Sequence, residues 1–100
     1  MDNYRAALKL YPADWETHYE LGAELGAAGQ ADAAREEFGA AVRLNPGNAR
    51  AHFSFGVLLA KQNRFEEAQR EFEATLRLEP AHAKAQENLA YLQKLKRRTP

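Results

Sequence analysis

The chain has 100 residues, with 14 Lys and Arg against 14 Asp and Glu and no cysteine. Zero formal charge argues against a general nucleic-acid binder or a membrane-surface protein, both of which need a positive field, and the lack of Cys excludes disulfides and thiolate chemistry. This length suits one domain, able to bury roughly two-thirds of its unfolded surface. No apolar run approaches the ~18 residues of a membrane span, and Met1-Asp2-Asn3-Tyr4 is too polar to open a signal peptide. The chain therefore reads as soluble, cytoplasmic by default, with the periplasm left open.

Tyr4, Ala7, Leu8 and Leu10 precede Pro12 with a spacing that returns in Phe38, Ala41, Val42, Leu44, Pro46 and in Phe72, Thr75, Leu76, Leu78, Pro80. Residues 1–14 are thus expected to be the trailing helix of a preceding unit, about two turns that must dock on the helix after them. The chain then reads as part of a longer array, whose open N-terminal end offers a route to homo-oligomers. From Asp14 to about Ala28, Trp15, His18, Leu21, Gly22 and Leu25 recur at three- and four-residue steps, one face of a helix, with Asp14 placed to cap it. Gly29-Gln30 breaks this pattern, and Ala31 to Leu44 resumes it. Gly22 and Ala34 are expected where the two antiparallel helices cross closely, with Leu21, Leu25 and Phe38 around them. Asn45-Pro46-Gly47-Asn48 is a loop, Asn48 a cap. Ala49 to about Lys61 and Phe65 to about Leu78 form a second pair, with Gly56 and Ala68 at its crossing and Glu66 and Glu67 complementing the helix dipole. Ala83 to about Arg97 begins a third unit. There Gln86 and Gln93 replace a His and a Leu, wetting the face a further helix would have covered. Lys94, Lys96, Arg97 and Arg98 read either as cations opposing the dipole of that helix's end or as a basic recognition tail.

These elements share a period of 34 residues. His52-x-x-Phe55-Gly56-x-x-Leu59, Ala68-x-x-x-Phe72, Leu76-x-Leu78-x-Pro80 repeats His18-x-x-Leu21-Gly22-x-x-Leu25, Ala34-x-x-x-Phe38, Val42-x-Leu44-x-Pro46. Residues 15–48 set on 49–82 give ten identities. The pattern resembles the tetratricopeptide repeat, a helix-turn-helix of that length with W-x-x-L-G-x-x-Y, then A-x-x-x-F, then P. It departs at the Trp slot, filled by His18 and His52, and at the Tyr slot, filled by Leu25 and Leu59. The resemblance implies an all-α solenoid of about six antiparallel helices in a right-handed superhelix. It divides the chain into repeat 1 at 15–48, repeat 2 at 49–82 and a C-terminal capping helix at 83–100.

Little in the chain points to catalysis or to a cofactor. His18 and His52 occupy one slot in successive units, roughly 10 Å apart, too far for one metal ion, so both are expected to pack. His82 comes after Pro80 as a turn residue. Glu36-Glu37, Glu66-Glu67 and Glu71-Glu73 recur on second helices, with Arg35, Arg43, Arg70 and Arg77 within helical reach, as on a salt-bridged surface. No Ser or Thr has a base beside it, and no Gly-rich loop follows a strand. A non-enzymatic chain is expected.

By the same resemblance, first helices line a concave side. The residues facing it would be Glu16, Tyr19, Ala23 and Ala27, then Arg50, Phe53, Val57 and Lys61, then Lys84, Glu87 and Tyr91. Tyr19, Phe53, Val57 and Tyr91 form an apolar strip, either packed against neighbouring helices or anchoring a peptide or helix, with Arg50 and Lys84 beside it. The family's best-known variant grips terminal carboxylates of chaperone tails with Lys and Asn. Here the matching surface offers Tyr19, Ala23 and Ser54 beside Lys84 and Asn88, so that ligand class is not expected. The expected function is a protein-interaction scaffold, the alternative a self-assembling or architectural segment.

Overall fold

The computed structural model describes residues 14–98. Five helices run in order: α1 Trp15–Ala27, α2 Ala31–Leu44, α3 Ala49–Lys61, α4 Phe65–Leu78 and α5 Ala83–Arg98, with no strand among the described residues. The sixth expected helix, and the self-association expected through Ala7, Leu8 and Leu10, lie outside them. No described helix is long and apolar enough to cross a membrane.

Local chemistry sets the boundaries. Asp14 Oδ1 accepts the Glu16 and Thr17 amides at 3.2 and 3.5 Å, and Asn48 Oδ1 accepts the Ala51 amide at 2.9 Å, so α1 and α3 begin on side-chain caps. Both helices end on the same turn. In α1 the Gln30 amide donates to Leu25 O and the Gly29 amide to Gly26 O, with Gly29 at φ +81. In α3 the Arg64 amide donates to Leu59 O and the Asn63 amide to Ala60 O, with Asn63 at φ +60. This is a Schellman turn, whose left-handed residue favours Gly and next Asn, the two residues present.

Small side chains let the helices of each pair approach, although the contacts differ from those the spacing suggests. A Cβ on Gly22 would lie 2.9 Å from Phe38 Cδ1, and one on Gly56 would lie 2.7 Å from Phe72 Cε1. Glycine therefore seats the aromatic ring of the partner helix, whereas Ala34 stands opposite Gly26, at 3.9 Å from its would-be Cβ. Phe38 packs with Leu21 and Leu25 of its own pair and Leu58 of the next, and Phe72 with Leu59 and then Leu92 of α5. Each second helix is thus held between two first helices, and burying a ring such as Phe72 stabilises the stack by roughly 1.5–3 kcal/mol. At the α2–α3 junction Arg35 donates to Asp32 at 3.0 Å and to Gln62 at 2.9 Å, and Gln62 donates to Asp32 at 3.0 Å.

Two of the glutamates do not behave as the sequence suggests. His18 Nδ1 pairs with Glu37 Oε2 at 3.2 Å, and one period later His52 Nδ1 pairs with Glu71 Oε1 at 2.7 Å. These partly buried bonds tie first helix to second in both pairs, so Glu37 and Glu71 pair inward with histidine rather than along the surface with arginine. Among the described residues Arg64 pairs with Glu67 and Arg35 with Asp32. His52 Nε2 also donates to Pro46 O at 2.8 Å. Gln86 takes the loop half of this role in α5, donating from Nε2 to Pro80 O at 2.7 Å.

Candidate functional site

The first helices α1, α3 and α5 lie side by side along one face. The Tyr19 hydroxyl of α1 and Ser54 Oγ of α3 are 2.9 Å apart, and the Arg50 guanidinium lies 4.8 Å above the Tyr19 ring. That cation–π contact and the hydroxyl bond fix Tyr19 at both ends. Its ring also tilts against Phe38 at 5.6 Å and meets the edge of Trp15 at 6.5 Å. Tyr19 is partly buried as a result and presents little free surface.

Two grooves run beside this cluster, one on each side of α3. The first, of about 340 Å³, has a wall of small residues on α1, Gly22, Ala23, Gly26 and Ala27, facing Phe53, Ser54, Val57 and Lys61 on α3. The second, of about 260 Å³, lies between Val57, Ala60 and Lys61 of α3 and Asn88, Tyr91 and Leu92 of α5, with Phe65 and Phe72 behind. Val57 and Lys61 belong to both, so they form the ridge between them. Tyr91 is 62% exposed, the most accessible large apolar side chain among the described residues.

Of the six residues singled out from the sequence, Tyr19 and Arg50 form one cluster, while Phe53, Val57 and Tyr91 line the grooves. Lys84 lines neither groove. Phe53 is more structural than its spacing suggests, with ring centroids 5.8 Å from Phe72 and 4.7 Å from His82. His82 in turn accepts the Ala85 amide at Nδ1, 3.1 Å away, so this turn residue caps α5 and pins the end of the face. Phe65 went unnoticed as a groove residue. Its only signal was an aromatic opening α4 where α2 opens on Ala31. Among the described residues no group of three or more metal-ligating side chains converges.

The tetratricopeptide repeat profile matches residues 25–97, most of the chain. The chain belongs to the tetratricopeptide repeat family. No curated protein sequence matches this tetratricopeptide chain, but solved structures share its fold. The first tetratricopeptide domain of Spaghetti (RPAP3), bound to an HSP90 peptide, aligns with TM-score 0.88 at 21% identity, covering 94% of this chain and 75% of that one. MamA aligns with TM-score 0.90 at 20% identity, covering 95% of this chain and 52% of that one, so the present chain spans about half of MamA. The Yersinia enterocolitica type III secretion chaperone SycD, in complex with a peptide of the translocator YopD, aligns with TM-score 0.85 at 19% identity, covering 93% and 76%. At these identities the likeness is one of fold.

Proposed function

We propose that this chain is a non-catalytic interaction scaffold that takes a peptide segment or helix of a partner protein on its concave face, formed by α1, α3 and α5. Units 15–48 and 49–82 supply the scaffold, and α5 solvates its end through the exposed Gln86 and Gln93. The observation that carries the reading is the pair of grooves flanking Val57 and Lys61, with Tyr91 standing open beside one of them. Two structures of the same fold are in complex with peptides, which supports a peptide as the occupant.

A short segment on such a face buries less than a standard interface, and a micromolar Kd, about −8 kcal/mol, is the expected strength. The test is to select binders from a random peptide library and titrate them into isotope-labelled protein. Amide shifts should concentrate on α1, α3 and α5. Tyr91→Ala should weaken binding by at least ~1 kcal/mol while leaving thermal unfolding unchanged, because the ring is exposed. Glu36→Ala, on the exposed side of α2, should have no effect. Peptides that map to α2 and α4 would reject the reading.

A further inference from the structure

We propose a second docking surface, apart from the concave face: the cavity between the start of α4 and the end of α5 takes a partner segment that carries an apolar anchor beside acidic residues. The cavity measures about 460 Å³, within the roughly 300–1,000 Å³ of ligand sites. Phe65, Leu92 and Leu95 supply its apolar lining, with Glu66, Gln69 and Lys96 around them. Phe65 and Leu92 also line the groove beside Tyr91, and so stand between the two.

The period shows how this place came to be open. Asp32, Arg35 and Gln62 at the α2–α3 junction become Glu66, Gln69 and Lys96 at the α4–α5 junction, one repeat on. In the first junction Arg35 donates to Asp32 of its own helix at 3.0 Å and to Gln62 of α3 at 2.9 Å, bridging the two helices. In the second, the shorter Gln69 donates to Glu73 of its own helix at 3.5 Å. Two further exchanges turn the same place apolar, Ala31 to Phe65 and Lys61 to Leu95. Phe65 is left 38% exposed.

Charge selects the occupant. Glu66 and Lys96 both line the cavity and offset each other. Gln69 and Lys96 also line an adjoining cavity of about 320 Å³, whose other walls are Gln93 and Arg97. That neighbour holds two cations and no acid, and Arg97 is exposed with no ion-pair partner among the described residues. An apolar side chain fits the first cavity, and carboxylates beside it fall against Lys96 and Arg97. A further second helix is not the occupant. Seated on α5 as α4 sits on α3, it would press an aromatic ring onto the position held by Gly22 and Gly56, where a Cβ has no room. In α5 that position is Ala90, flanked by the exposed Gln86 and Gln93.

The test pans a random peptide library against the whole chain and counter-selects it against the triple variant Glu66→Asp, Gln69→Arg, Lys96→Gln, which carries the Arg35 bridge of the first junction into the second. Peptides held on the concave face bind both proteins and drop out. Those that remain should carry an apolar residue beside Asp or Glu, and their amide shifts on labelled protein should centre on residues 65–69 and 92–97. By fluorescence anisotropy, Leu95→Lys, which restores the residue of the preceding unit, and Arg97→Glu, at an exposed site, should each weaken them about tenfold or more. Peptides that bind the triple variant equally well, that lack acidic residues, or that ignore Arg97→Glu would overturn the inference. So would self-association of the chain that Leu95→Lys abolishes, since the occupant would then be a second copy.

Discussion

At the scale of single residues, glycine does two different jobs on the first helices of the pairs. Gly56 has Phe72 pressed against it, and that ring, 1% exposed, has nowhere to move. Gly56→Ala should therefore cost about 1–3 kcal/mol of overpacking, reduced by up to about 1 kcal/mol of gained helix propensity, for a net loss in urea denaturation. Gly26→Ala meets only the Ala34 methyl at an ordinary 3.9 Å and should be neutral or gain about 0.5–1 kcal/mol. Equal midpoints for the two variants would show that the ring is not wedged as described. Asp14 offers a second test. Its carboxyl is held below the usual value of 3.8, first by the Thr17 hydroxyl bond, which outweighs the opposing effect of desolvation, and then by the Thr17 and Glu16 amides and His18. A lowered carboxyl contributes stability that is present above pH 3.8 and lost as pH falls through its folded value. Asp14→Ala should thus be less stable than the parent near neutrality, and the gap should narrow once pH drops below that point. A gap independent of pH would remove the role of the ionised cap.

At the scale of helix pairs, the His–Glu bonds are the least expected feature and the easiest to isolate. His52 and Glu71 are partly buried and 2.7 Å apart, so a double-mutant cycle to Ala should return a coupling of roughly 0.5–3 kcal/mol. His52→Gln should cost less than His52→Ala, since Gln86 already makes the corresponding bond to Pro80 O in the next unit. Additive losses in the cycle would reduce the pair to proximity. The helices themselves were legible from the sequence because apolar spacing, caps and Gly-rich turns are local properties. The pairing was not, because His18 and Glu37 are nineteen residues apart and meet only when two helices turn back on each other. Their recurrence one period on, at His52 and Glu71, was the available signal.

Across the whole molecule, each helix packs chiefly on its chain neighbours, so the stack behaves nearly as a one-dimensional array. Leu92 joins α5 to Phe72, Leu59 and Ala68 and is 4% exposed. Leu92→Ala should cost about 2–5 kcal/mol, and the loss should be local. Hydrogen exchange should quicken in α4 and α5 before α1 and α2. Uniform quickening along the chain would mean a single cooperative unit. The same geometry shaped the grooved face. Phe53, Val57 and Tyr91 line its grooves, whereas Tyr19 is held by Ser54 and Arg50, and Lys84 stands outside both grooves.

Sequence by itself determined the period, the helices and their caps, and the family, because each depends on the order of residues over one or two turns or on repetition at a fixed interval. Only the tertiary structure decided that Gly22 and Gly56 seat aromatic rings, that histidine pairs with glutamate between helices, and that two grooves share one ridge. A helical pattern says which face a side chain occupies. Which atom it meets depends on how far one helix slides and rotates against the next, and that is set by the packing of all their side chains together.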